Sequence, residues 1–424
     1  MKRKIRIFFR MPMLIVLMVI LIFFTPLAIY SPGENRNRGV VTALGIDKNN
    51  NEYEISLLTF IPTANQSYQE KSSVISGKGS SVADAVYNAQ IAMGRSIGLS
   101  HAKTTVVNEM LLEEDVASTI DYLSRVASLP ENTVFICTNK TAKEMLESSQ
   151  DLINNLGLKL EQIIGYNANN IYVTDTSLEA FYKGYFSPAK SSLIGYLTIE
   201  DEENKPQEIS EIDSLQNSGT DQKQSSQGEA NQGESQAGGS GNSSHIVNQG
   251  QAVLLKEGKK VALLDIDQLN GINLLNPKSV NQIIRVDVEK EGQQVSMSYK
   301  IKTKKTLVST KFENNYPIYI AQLILGVKLV EINGQEGVLK VNTEFSEITE
   351  EIALKIEEQI KRQFTTSIKI LRDCDTDVLG IGKEFFLQNR KQFRKYIEGL
   401  GGEESVDKFI DYVTFKLNVI VQPD

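Results

Sequence analysis

The stretch Val40-Val41-Thr42-Ala43-Leu44-Gly45-Ile46-Asp47, the Asn49-Asn50-Asn51 that follows it, and Tyr53-Glu54-Ile55-Ser56-Leu57-Leu58-Thr59-Phe60 decide the fold class. Two β-rich runs around an Asn-rich turn predict an antiparallel hairpin. A helix is expected next. Ser80 or Ser81 stands where an N-cap belongs, and Val82, Val86, Ala89 and Met93 recur at three and four, through about Ile97. His101–Leu112 then reads as a strand, Glu113–Ala127 as a helix with Ile120, Leu123 and Val126 inward, and Thr133–Cys137 as another strand. The order β-β-α-β-α-β predicts a mixed sheet with helices over one face, and hence an α+β fold. Lys140–Glu200 leans helical over Ala142–Leu156 and is less legible beyond, Ile171–Val173 included.

The far half of the chain repeats the theme. Gln251–Leu255, Glu257-Gly258-Lys259-Lys260 and Val261–Leu264 predict a second hairpin. From Val295 to Thr310, Val295, Met297, Tyr299 and Ile301 alternate with Ser296, Ser298, Lys300 and Lys302, the period of a half-buried strand. Val338–Phe345 shows the same alternation. A long helix is expected over Thr349–Leu371, where Ile352, Ile356, Ile360 and Phe364 fall four apart, with Glu350 and Glu351 early and Lys361 and Arg362 later, as the helix dipole favours. A helix over Lys383–Ile397 and a strand over Tyr412–Val421 close the chain.

Between the halves lies a segment of different character. Residues 201–250 hold nine Asp/Glu against two Lys, no Phe, Tyr or Trp, and runs such as Gln236-Ala237-Gly238-Gly239-Ser240-Gly241. Too little apolar surface is available there to offset the entropy of ordering, so a disordered linker is expected. At the amino end, Lys2, Arg3, Lys4, Arg6 and Arg10 precede the apolar run Met11–Tyr30. As a helix, about 20 residues span roughly 30 Å, one hydrocarbon thickness. The basic cluster would stay cytoplasmic and export everything after Ser31. A cleaved signal peptide is the competing reading, but Pro26-Leu27-Ala28 is a poor cleavage site. The expected layout is therefore a basic stub with membrane anchor at 1–34, an α+β region at 35–200, the linker at 201–250 and a second α+β region at 251–424.

The charge balance narrows the function. The chain of 424 residues carries −8, and its first ten residues carry five cations, leaving −13 for the remainder. A nucleic-acid partner, which needs a cationic face, is not expected. Two Cys (Cys137, Cys374) and two His (His101, His245) are too few for a disulfide framework or a Cys/His zinc site. Gly77-Lys78-Gly79-Ser80-Ser81 superficially looks like a phosphate loop but lacks its four-residue gap and Gly-Lys-Ser/Thr ending, so a turn and a Ser cap are expected. Asp373-Cys374-Asp375-Thr376-Asp377 offers three carboxylates without the remaining positions of a calcium loop, and reads as a polar turn. Cys137 reads as a small core residue. His101 has no nucleophile-bearing elbow nearby, and no spacing selects a carboxylate pair for glycoside cleavage. No catalytic, cofactor-binding or metal residues are assigned.

Several of these stretches together resemble the Ger(x)C family, the C subunit of spore germinant receptors. They are Ala43–Asp47 with Tyr53–Phe60; Ser76-Gly77-Lys78-Gly79 leading into the helix; Leu99-Ser100-His101-Ala102-Lys103 before Val106-Val107-Asn108-Glu109; Gln251–Leu264 with Gly271-Ile272-Asn273-Leu274-Leu275; and Asp377-Val378-Leu379-Gly380-Ile381-Gly382 before a basic helix. The resemblance covers nearly all of the chain outside the linker and the amino terminus. It implies a non-enzymatic, extracytoplasmic subunit without cofactor, held at the spore inner membrane beside two polytopic receptor subunits. The sequence departs from the family where a lipobox Cys followed by Trp-Asp is usual: Tyr30-Ser31-Pro32-Gly33-Glu34 stands there instead. The Met11–Tyr30 helix is then expected to do the anchoring. The Gly-rich turns and Asp377–Gly382 are the candidate contact elements. An envelope solute-binding protein, with a deep pocket between the halves, and a cell-wall hydrolase using paired carboxylates are the alternatives.

Overall fold

The computed structural model describes residues 38–61, 71–148, 176–201, 244–275, 281–290, 292–333, 348–402 and 405–424. The expected anchor at 11–30, most of the expected linker, Ile171–Val173 and the strand expected at Val338–Phe345 lie outside them. Among the described residues no helix is long and apolar enough to cross a membrane.

The structure is α+β, built on two mixed sheets. In the first, β1 (Arg38–Asn49) and β2 (Glu52–Ile61) form the predicted hairpin. Asn49 faces Glu52 across Asn50-Asn51, and Asn50 adopts φ 54°, as a two-residue hairpin turn requires. β3 (Lys71–Gly79) adds antiparallel to β2. On the other side of β1 come β4 (Ser96–Gly98) and β5 (Thr104–Asn108), then β6 (Val134–Thr138) and β7 (Ser191–Asp201), all parallel. The antiparallel pair β8 (Ser244–Lys256) and β9 (Lys259–Leu264) completes it.

Helices cover both faces of this sheet, not the single face expected. One face carries α1 (Val82–Met93), α2 (Val116–Val126) and a later helix at Leu178–Tyr185. Ser81 caps α1 by accepting from Asp84 N at 3.1 Å, and Gly94 at φ 65° ends it, four residues short of the expected Ile97. Val41, Leu44 and Ile46 of β1 pack under these helices with Phe135, Cys137, Ile120 and Leu123. α3 (Ala142–Glu147) lies on the opposite face, where Ala142, Met145 and Leu146 meet Ala43, Leu58, Val106 and Ile136. Two-residue alternation along each strand feeds both cores. With α4 assigned to Leu178–Tyr185, the remaining helices are α5 (Ile266–Asn273), α6 (Glu350–Asp373), α7 (Ile381–Gln388), α8 (Arg390–Leu400) and α9 (Phe409–Tyr412).

The second sheet runs β10 (Asn281–Lys290), β11 (Gln293–Glu313), β12 (Tyr316–Asn333) and β13 (Thr414–Pro423), antiparallel until the parallel β12–β13 pair. Thr349 caps α6, and its Ile352, Ile356, Ile360, Phe364, Ile368 and Leu371 bury against Val286, Tyr299, Leu323 and Leu325. Each such side chain contributes about 2 kcal/mol of burial. The helix expected over Lys383–Ile397 is two, broken at Asn389, whose Nδ2 donates to Thr310 O at 2.8 Å and Thr310 Oγ1 at 2.7 Å on β11.

The two lobes share strands. Leu193 of β7, Ala252 and Leu254 of β8 and Leu264 of β9 belong to the core of the second lobe, while Ile194, Tyr196, Val253 and Leu255 belong to that of the first. The hairpin at Gln251–Leu264 thus ends the first sheet rather than opening the second.

Candidate interaction surfaces

Gly77-Lys78-Gly79 is strand, not a phosphate-binding turn. It forms the end of edge strand β3, and α1 lies against it with no room for a side chain. A Cβ at Gly77 would stand 2.1 Å from Ala89 N, and one at Gly79 would stand 2.5 Å from Ala85 N. Lys78 reaches Glu54 at 3.6 Å on the neighbouring strand. Of the five residues only Ser81 serves as expected, as a cap. The glycines are there for close helix approach.

Asp377–Gly382 likewise serves packing at its two ends, where Asp377, Ile381 and Gly382 are buried, while Val378–Gly380 between them are part-exposed. Asp377 Oδ1 accepts from Ile381 N and Oδ2 from Gly382 N, both at 2.8 Å, so its carboxylate caps α7. Burial pushes this carboxyl above its usual range, although the N–H groups of Gly382, Ile381 and Gly380 pull it down. Its own N–H donates to Ser191 Oγ at 3.3 Å on β7, across the lobe seam. Nearby, Lys256 of β8 bridges to Asp407 at 2.7 Å and to Asp375 at 4.0 Å. The carboxylates of Asp373-Cys374-Asp375-Thr376-Asp377 thus diverge around a turn in which Asp375 holds φ 50° and Thr376 N donates to Leu371 O at 2.9 Å. Among the described residues no group of three His, Cys, Asp or Glu side chains could hold a metal ion.

The remaining candidates do not converge. Cys137 is buried on β6 in the first lobe, where burial above all drives its thiol far up. Cys374 is half-buried at the end of α6, packed on the second core. His101 lies exposed in the turn before β5, and His245 falls on β8 opposite Glu200. The polar cluster that the structure does assemble joins chain-distant residues: Glu109 accepts from Tyr196 OH and from Lys260 Nζ, the latter at 2.6 Å. Burial would raise the Glu109 carboxyl, but the Lys260 ammonium and the Tyr196 hydroxyl hold it below the usual range. It fastens β9 and β7 to the 3-10 turn at Glu109–Glu113.

Asp47 is the other buried carboxylate of note. It ends the Ala43–Asp47 motif on β1 and accepts from Ala142 N at 2.7 Å and Lys143 N at 3.0 Å, at the N-terminus of α3. Burial raises it to about 6 despite those two bonds, with Glu54 and Glu144 adding to the rise.

One groove went unread in the sequence. A hollow of ≈ 880 Å³ runs between α6 and edge strand β13, floored by Phe364, Ile368, Phe415 and Leu417 and rimmed by Lys369. Arg372 lies over the Phe415 ring at 5.3 Å while donating to Ile410 O and Val413 O. The alternation Phe415-Lys416-Leu417-Asn418 on β13 was its only sequence signal. Its lining sets these apolar side chains beside Lys361, Lys369, Asp373 and Asp411.

Comparison with known proteins adds the following. Residues 34–199 match the family model described as the spore germination protein N-terminal domain, and residues 249–421 match the model described as spore germination B3/GerAC like, C-terminal. Among solved structures the chain is similar to one titled the crystal structure of the GerBC protein, at 14% identity over 89% of this chain and 96% of that one, with a TM-score of 0.44. No curated protein matches.

Proposed function

Because the chain belongs to the Ger(x)C family of spore germination proteins, we propose that it is a non-enzymatic, extracytoplasmic subunit of a germinant receptor. It works by protein contact in receptor assembly or signalling, beside polytopic subunits, at the outer face of the spore inner membrane. The Met11–Tyr30 segment anchors it, in place of the lipid-bearing Cys usual in the family. The acidic stretch expected to part the two regions joins β7 to β8 within the first sheet, which β8 enters at Ser244.

One observation carries the contact reading over the solute-binding and hydrolase alternatives: the seam between the lobes is a shared core. Leu193, Ala252, Leu254 and Leu264 pack into the second lobe, so the place where a hinged cleft would admit a solute is filled with aliphatic side chains. The buried carboxylates Asp47 and Asp377 are occupied as helix caps, which leaves neither poised as a solvent-facing acid.

Cross-linking in intact spores, followed by affinity recovery and mass spectrometry, tests the reading. Polytopic receptor subunits are expected among the cross-linked peptides. Recovery of the intact chain free in the cytosol, or bond cleavage by the purified protein, overturns it. Mass spectrometry of the membrane-extracted chain reads the anchor separately: a mature N-terminus beyond residue 25 excludes it.

A further inference from the structure

The second sheet buries one face under α6 and leaves the other open, and that open face is cationic in an acidic chain. The register aligns its outward residues. Lys300 of β11 stands directly opposite Lys328 of β12 and, on its other side, opposite Ile283 of β10. Lys302 follows, then, past a bulge, Lys305 opposite Ile324, which in turn faces Ile420 of β13. Further along, Ile320 faces Lys416. Lys300, Lys302, Lys305, Lys328 and Lys416 are all exposed. Lys304, in the bulge, is paired with Asp424, and Lys311 with Glu313. Lys300, Lys302, Lys305 and Lys328 form no ion pair among the described residues. One carboxylate, that of Asp424, lies over Gly326 in the middle of this face, paired with Lys304, and the others sit at its ends, Asp287, Glu289 and Glu331 at one and Glu313 at the other.

Two like charges directly opposite on neighbouring strands destabilise a sheet, and here the Lys300–Lys328 pair is joined by further lysines in a chain that carries −8 overall. Between them stand separate aliphatic side chains: Ile283 is 58% exposed, Leu307 43%, Val330 48% and Ile420 36%. Protein interfaces are depleted in lysine and are anchored by aromatic residues and arginine. This strip has the opposite composition. Exposed lysines set opposite exposed or half-buried isoleucines suit the headgroup layer of an anionic bilayer, where long stems can lie on apolar surface and ammonium groups reach phosphate. From Lys300 to Lys311 the strip is roughly 35 Å long, interrupted by the bulge at Lys304.

We infer that the open face of the second sheet docks on anionic phospholipid, laying the second lobe against the membrane. The inference rests on the proposed function only in bringing the chain to a membrane; the amino-terminal anchor would tether the molecule, and the lysine face would orient it.

The full chain is mixed with vesicles of phosphatidylcholine alone, or with one-third phosphatidylglycerol, sedimented, and its lysines acetylated and quantified by mass spectrometry. Sedimentation with neutral vesicles reads the anchor. The lysine face is read by the difference between compositions. Labelling of Lys300, Lys302, Lys305 and Lys328 is expected to fall on the order of fivefold on anionic vesicles alone, with Lys103 of the first lobe unchanged. The paired change Lys300→Glu with Lys328→Glu is expected to abolish protection at Lys302 and Lys305 without lowering the unfolding midpoint. Equal labelling on both compositions overturns the inference even where the anchor holds. So does protection that appears only in native membranes holding other receptor subunits, which would assign the face to a protein. Sedimentation with anionic vesicles alone supports the face and removes the anchor, and sedimentation with neither removes both.

Discussion

Asp47→Asn isolates a pH dependence built into the first lobe. The unfolded carboxyl ionises near 3.8 and the folded one near 6, so in this window the folded chain holds a proton that the unfolded chain has lost. The stabilisation linked to that proton is complete below about pH 4, declines as pH rises, and is gone above about pH 6. At about 1.4 kcal/mol per pH unit, the interval amounts to about 3 kcal/mol. The group is only 2% exposed, so solvent screening takes little from that figure. Asparagine keeps an acceptor for Ala142 N and turns a donor toward Lys143 N, a pH-independent loss of about 1–2 kcal/mol. Other carboxylates titrate over the same range, and Glu109, held low, works in the opposite direction. The quantity to measure is therefore the difference between wild type and variant. Urea unfolding of both detergent-solubilised proteins, followed by circular dichroism at half-unit steps from pH 3.5 to 7, is expected to show the wild type losing about 3 kcal/mol relative to the variant over the whole range, about 2 kcal/mol of it between pH 4 and 6. A difference that stays flat over the whole range refutes the reasoning, since the carboxyl would then ionise alike in both states.

Three further outcomes are expected. Gly77→Ala forces a methyl into the backbone of α1 at Ala89 and should cost about 3 kcal/mol in urea unfolding, whereas Gly94→Ala meets no atom within 4 Å and suffers only its φ of 65°, about 1 kcal/mol; equal costs would exclude close packing as the reason for Gly77. Asp377→Ala leaves Ile381 N and Gly382 N without their acceptor and should cost about 2–3 kcal/mol, with Asp377→Asn recovering part, read by thermal unfolding at pH 7. A thiol-reactive chromophore should modify half-buried Cys374 in the native protein and Cys137 only after unfolding, and two native thiols reacting at equal rates would contradict the burial of β6.

The elements that were legible in the sequence are those whose signal is local. The β1–β2 hairpin was readable because its turn and both alternations lie within about twenty residues, and Asn50 tolerates the left-handed turn. α6 was readable because Ile352, Ile356, Ile360 and Phe364 mark one face and Thr349 its start. β3 was misread because Gly77-Lys78-Gly79 has the composition of a turn, and only the approach of α1 explains why a strand must lack side chains there. β12 gave no alternation, its residues Ile318–Val327 being largely apolar on both faces, and so escaped notice. The break at Asn389 depends on Thr310, far away on β11. Gly77 and Gly79 hold α1 close and Asp377 caps α7, packing roles that the motifs do not reveal because a motif does not say whether a helix will settle on it.

Composition and short-range pattern determined that this is an α+β chain with an apolar amino-terminal run and an acidic segment between its halves, and the aggregate of its motifs determined its family. Those properties need only neighbours in sequence. Tertiary structure decided which strands are adjacent, that β8 pairs with β7 and β9 with β8 to close the first sheet while sharing their two faces between the lobes, and that lysines from three strands meet on one face. The reason is physical: a strand's edge bonds and its two faces are satisfied by whichever distant segment packs there, and that choice is made by the whole core at once.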